Sequence, residues 1–157
     1  MTSETQTMLI KTVNFGELKI PDDKIIDFRE GLPGFPQIRK FAVLDFENVK
    51  PFQYLQALGD PPIALLIINP FLIDPSYEFQ LSAVDMEEIQ STQPGSTAVY
   101  TVATIPDNPE EATVNLMAPI IINENVRVGK QVILLDTKYA VRHPLFRKTD
   151  DAGAGIK

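Results

Sequence analysis

The residues able to do chemistry are few, and they are poorly placed for it. The sole histidine, His143, stands in Arg142-His143-Pro144-Leu145-Phe146. A Ser–His–Asp arrangement would make it the base, yet no serine lies in a Gly-x-Ser-x-Gly elbow. One histidine, no cysteine and no EF-hand spacing give no motif for a metal ion. Glu87 and Glu88 are the adjacent acids on a candidate helix. Neighbours on a helix point in different directions, so they cannot flank one bond as a catalytic pair must. Gly31-x-x-Gly34 is short of amides because of Pro33 and Pro36, and no Gly-Lys-Ser/Thr follows to cradle a phosphate. The reading is a non-enzyme without cofactor or metal.

Charge tells more. The net charge is −7, and every Lys and Arg lies either in residues 1–50 or from Arg127 onward. Between Pro51 and Val126 stand ten acids and no base: Asp60, Asp74, Glu78, Asp85, Glu87, Glu88, Asp107, Glu110, Glu111 and Glu124. Folded compactly, such a block either gathers into a negative face that draws basic partners, or scatters as solvated loop carboxylates. The basic residues Lys138, Arg142, Arg147 and Lys148, interleaved with Tyr139 and Phe146, are a small footprint against a pI near 4.7. Direct nucleic-acid binding is not expected.

The elements that must position these residues are short. Thirteen prolines punctuate the chain and forbid long helices. Between them lie runs rich in Val, Ile, Phe, Tyr and Thr: 8–15, 17–20, 41–46, 52–58, 63–68, 97–105, 113–116, 120–123 and 131–135. The pattern predicts an all-β fold, a small β-barrel-like single domain of many short antiparallel strands with one or two short helices. Residues 50–58 fit helix or strand and lean to strand. Asn14-Phe15-Gly16-Glu17, Asn123-Glu124-Asn125 and Val128-Gly129-Lys130 read as tight connections. Residues 81–90 read as a helix capped by Ser82, with Glu87 and Glu88 on its solvent face. The domain spans 8–147, with flexible termini at 1–7 and 148–157. The N-terminus carries no signal-peptide pattern, and 63–68 is too short to cross a bilayer. A cytoplasmic protein without membrane contact, monomeric when free, is expected.

Gly31-Leu32-Pro33-Gly34-Phe35-Pro36 is a stiff loop. Pro33-Gly34 supplies the centre of a type II turn, and Leu32 and Phe35 are pushed to extended geometry by the prolines that follow them. The two apolar side chains either plug one end of the core or leave one anchor for a partner. Asn115-Leu116-Met117-Ala118-Pro119-Ile120 is either a strand kinked at a barrel corner or an open edge. A small-molecule site among Phe35, Phe71, Tyr77 and Tyr100 is the alternative to a protein-binding role.

Asp27-Phe28 with Glu30-Gly31-Leu32-Pro33-Gly34-Phe35, then Leu55-Gln56, Asn69-Pro70-Phe71, Tyr77-Glu78, Thr113-Val114-Asn115-Leu116-Met117-Ala118-Pro119-Ile120, Gly129-Lys130-Gln131-Val132 and Arg142-His143-Pro144-Leu145 together resemble the flagellar assembly factor FliW family. The resemblance implies a small non-catalytic barrel that binds the translational regulator CsrA away from its RNA-contacting surface, releasing flagellin mRNA from repression. It also implies binding of flagellin, in a partner switch. Joined to the acidic block, it points to Glu78 first, then Asp74, Glu87 and Glu88, as the side facing a basic regulator, with Tyr77 and Phe71 as its apolar centre. Leu32, Phe35, Asn115 and Pro119 are the candidates for flagellin, Asn115–Ile122 as an edge to which an extended segment adds. An export chaperone for flagellin without a regulatory arm is a further alternative.

Overall fold

The computed structural model describes residues 7–91, 97–135 and 137–146. Seven strands close on themselves: β3 (Ile26–Phe28), β4 (Lys40–Leu44), β5 (Gln53–Ala57), β6 (Ala64–Ile68), β7 (Thr97–Thr104), β9 (Ile120–Asn123) and β10 (Val128–Gln131). The order around the barrel is β7-β6-β5-β4-β3-β10-β9, and β9 pairs back onto β7. Closure removes the free edges an open sheet would leave. All these pairings are antiparallel except that of β3 with β10, which is parallel. Outside the barrel, β1 (Thr7–Lys11) and β2 (Glu17–Pro21) form a separate hairpin. Short β8 (Thr113–Val114) extends from the end of β7 and carries β11 (His143–Pro144).

Period-2 alternation fills the barrel. Phe28, Phe41, Leu55, Ile67, Ile120 and Ile122 meet inside it, with Phe35, Val43, Leu65, Tyr100 and Val102 packed against them. β9 is buried on both faces, because Ile121 points outward into a second cluster with Ile89, Val128, Val132 and Leu134. A third cluster, Ile68, Tyr77, Val114 and Leu116, lies beside it. The second and third clusters make up a flank outside the barrel wall. Residues 69–91, including the helix α1 (Ala83–Glu88), cover this flank together with 137–146.

Several sequence expectations change here. Val128-Gly129-Lys130 is not a connection but strand β10. Glycine is present because Phe28 crosses it: a Cβ on Gly129 would lie 2.7 Å from the Phe28 ring. Beyond Gln131 the regular strand ends, although Val132 and Leu134 still donate to the carbonyls of Pro119 and Met117 at 2.9 and 2.8 Å. β3 and β11 were not expected from the runs, being three and two residues long. The expectation for the termini falls outside the described residues, as do Arg147 and Lys148, except that Thr7 opens β1. Among the described residues no helix is long and apolar enough to cross a membrane.

Candidate functional site

The flank begins at the end of β6. Asn69 caps the turn that follows, its side-chain oxygen accepting from the Phe71 amide at 2.8 Å, and Pro70 occupies the first position. The turn leaves Phe71 exposed at 41% beside exposed Leu72. Asp74 then folds the loop back, accepting from the Ser76 amide at 3.0 Å and hydroxyl at 2.7 Å. Those two bonds, helped by the charges of His143 and Lys138, hold its carboxyl below the usual value.

Tyr77 is 3% exposed. Its hydroxyl donates to the Leu116 carbonyl at 2.7 Å, and its ring lies 4.6 Å from Tyr139, 5.5 Å from Phe79 and 5.8 Å from Phe71. Burial, then the neighbouring Tyr139, pushes its pKa up. Tyr77 is therefore the post on which the loop is mounted, and Phe71 is the part of that pair offered to solvent. Glu78 is exposed, and its amide donates to the Tyr139 hydroxyl at 3.0 Å.

Ser82 accepts from the Asp85 amide at 3.0 Å and opens α1. The two glutamates of this helix part company. Glu87 is exposed, whereas Glu88 turns in to the ammonium of Lys130, which also meets Asp85 at 2.9 Å. Burial opposes ionisation of Asp85, but the Lys130 ammonium and the Ser82 bonds outweigh it and its pKa is lowered. Burial likewise opposes the charge on Lys130, and bonds to Glu88 and Asp85 outweigh it, so its pKa is raised. At the far end of α1, Asn123 of β9 donates to the carbonyls of Ile89 and Gln90 at 2.9 and 3.1 Å. Sequence reading missed Asp85, Asn123, Lys130 and Tyr139 as the ties of this flank. The distance of 42 residues between Lys130 and Glu88 left no local signal.

Half of the acidic block lies near basic side chains. Asp85 and Glu88 are drawn to Lys130, and Asp74 lies within the field of His143 and Lys138. Glu111 shares a groove with Arg142, and Glu124 shares another with Lys19, Lys24 and Arg127. The basic ends of the chain fold back among the acids of its middle. Of the residues expected to face a regulator, Phe71, Glu78 and Glu87 are exposed and close in sequence on one flank, Asp74 is partly exposed, Glu88 is engaged and Tyr77 is buried.

The second set fares differently. Leu32 is 3% exposed and part of the core, so it is no surface anchor, and Phe35 is half-buried against the same cluster. The loop that carries them is tight: Phe35 donates to the Leu32 carbonyl at 2.8 Å, and Gly34 has φ +91°. At Gly31, with φ +67°, a Cβ would sit 2.6 Å from the Pro36 backbone. Asn115–Ile122 is not an open edge. Asn115 accepts from the Met117 and Ala118 amides, Leu116 donates to Ala140, Pro119 is buried, and β9 is paired on both sides. Nor do Phe35, Phe71, Tyr77 and Tyr100 converge. Phe35 and Tyr100 pack against the barrel interior, whereas Phe71 and Tyr77 stack outside the wall.

The barrel is filled by its own side chains, and among the described residues no cluster of metal-ligating groups is present. Its sequence and backbone match one class of protein over most of the chain. The model of the FliW protein family matches residues 8–145, and the chain belongs to that family. It is 41% identical over 131 residues to the flagellar assembly factor FliW of Thermosipho africanus, covering 83% of this chain and 90% of that one. It is also 41% identical over 143 residues to that of Moorella thermoacetica, covering 90% of each. A crystal structure of the flagellar assembly factor FliW superimposes with a TM-score of 0.85 at 37% identity, covering 90% of this chain and 99% of that chain. Flagellar assembly is thus the process this barrel serves.

Proposed function

We propose that this chain is a non-catalytic, cytoplasmic antagonist of the translational regulator CsrA that also binds flagellin. Free flagellin would occupy it and release the regulator to repress flagellin mRNA; export of flagellin would reverse the exchange. Family membership supports this reading. The observation that carries the binding surface is the flank itself: Phe71, 41% exposed at the edge of the Tyr77–Tyr139 stack, with Glu78 and Glu87 exposed on the same flank. An exposed apolar anchor on a flank that also carries free carboxylates suits a basic protein and speeds its approach. Glu78 and Phe71 lead, and Asp74 contributes less because its carboxylate is tied to Ser76.

Mixing purified chain, regulator and a labelled flagellin-leader RNA tests the exchange. The chain is expected to displace the RNA, and added flagellin to restore it. RNA binding indifferent to the chain would overturn the regulatory arm, and displacement indifferent to flagellin would overturn the switch.

A further inference from the structure

Beyond the end of β10, the extended segment Val132–Leu135 runs on beside the stretch for which an open edge was one of the two sequence readings. Val132 and Leu134 spend their amides inward, on Pro119 and Met117. By the alternation of an antiparallel ladder, the N–H and C=O of Ile133 point the other way. On that side β3 pairs with β10 at Val128 and Gly129 and then leaves, turned away at Gly31. Past that point Ile133 has no backbone partner among the described residues. A groove of about 650 Å³ opens there, walled by Pro33, Gly34 and Pro36 of the stiff loop. Ile133 and Leu135 are 55% and 79% exposed, unusual for two large aliphatics two residues apart beside an unpaired edge.

We infer that an extended peptide segment, apolar with interspersed Lys or Arg, adds to Gln131–Leu135 as an extra strand. The charge of the surroundings selects the basic peptide. Glu30, Glu78, Asp85 and Glu88 line this groove and the neighbouring one along Val132–Leu135, against Arg29 and Lys130, a surplus of two negative charges. The segment between the grooves carries no charge of its own. Backbone pairing supplies affinity, Ile133 and Leu135 the apolar contact, and the carboxylates the preference for cations. The inference does not depend on which flagellar protein the chain serves, since the probe is synthetic.

The test uses a peptide of about seven residues in which Val and Lys alternate, and a twin with Glu for Lys. Fluorescence anisotropy reads binding, and hydrogen exchange reads the Ile133 and Leu135 amides. The basic peptide is expected to bind, to protect both amides, and to bind about tenfold more weakly as salt rises from about 0.05 to about 0.5 M. Ile133→Pro deletes the outward N–H while leaving the inward bonds of Val132 and Leu134, and proline is tolerated on such an edge. It is expected to weaken binding about tenfold with an unchanged circular dichroism spectrum. Should that variant unfold, Leu135→Thr keeps the strand and is expected to weaken binding severalfold. Equal binding of the acidic twin, or unprotected amides with the basic peptide bound, would overturn the proposal. So would a concentration-dependent dimer abolished by Ile133→Pro, which would assign the edge to a second copy.

Discussion

Inside the barrel, Phe28, Phe41, Leu55, Ile67, Ile120 and Ile122 are held by apolar packing, every strand paired on both sides. On the outer flank, residues 69–91 lie over the same strands but are pinned by long-range polar ties: Tyr77 to Leu116, Glu78 to Tyr139, Asn123 to the end of α1, and Lys130 to Asp85 and Glu88. The difference assigns roles. A close-packed interior resists change and transmits strain. A flank held at separate points can present Phe71, Glu78 and Glu87 on short turns without disturbing the barrel. It is also the part whose local opening should cost least.

Four substitutions would break or sharpen that contrast. Phe28→Ala empties the barrel centre and removes the ring that crosses Gly129; it should cost about 4 kcal/mol, read from chemical denaturation, with both regions lost together. Asn123→Ala strips two carbonyls at the end of α1 of their donor and the Asn125 amide of its acceptor. A cost of about 2 kcal/mol is expected, with faster hydrogen exchange in α1 than in β4 and β5. Lys130→Met leaves Asp85 and Glu88 facing each other and should cost about 1–2 kcal/mol. Glu78→Gln, exposed and unpaired among the described residues, should change stability by less than about 0.5 kcal/mol.

The Lys130 ties also predict a pH profile for the flank. Asp85 is lowered from its ordinary 3.8, so its share is present above that value and fades as pH falls through the lowered pKa. Lys130 is raised from 10.5, so its share is whole below that value and fades as pH climbs through the raised one. Protection of the α1 amides, taken relative to their intrinsic exchange rates, should therefore be greatest on the plateau between the two. Lys130→Met should abolish the alkaline fall.

The barrel was the legible part. Val- and Ile-rich runs between prolines placed β4, β5, β6, β7 and β9, because period-2 burial is written locally. Gly129 misled, since a strand glycine needed for a crossing ring looks like a turn until Phe28 is seen above it. The flank was legible only as exposed acids and aromatics. Which of them face water depends on partners far along the chain: Lys130 claims Glu88, and Leu116 claims the Tyr77 hydroxyl. The same folding-back brings Lys130 onto Asp85 and Glu88 of the acidic block, while Glu78 and Glu87 stay exposed. The edge reading has a similar lesson. Pro119 left a kinked strand or an open edge as readings; β9 after it is paired on both sides. Backbone without a partner among the described residues lies one strand over at Ile133, where the Gly31 turn takes β3 away.

The central claim is that the barrel is a scaffold and the flank around Phe71 and Glu78 is where the regulator binds. Calorimetric titration of CsrA into Phe71→Ala combined with Glu78→Lys tests it directly, beside Glu124→Lys at the groove shared with Lys19 and Arg127. The account predicts affinity at least about tenfold weaker for the flank variant and unchanged for Glu124→Lys, with both melting as the parent does. Unaltered binding by the flank variant, or loss at Glu124 instead, would contradict it.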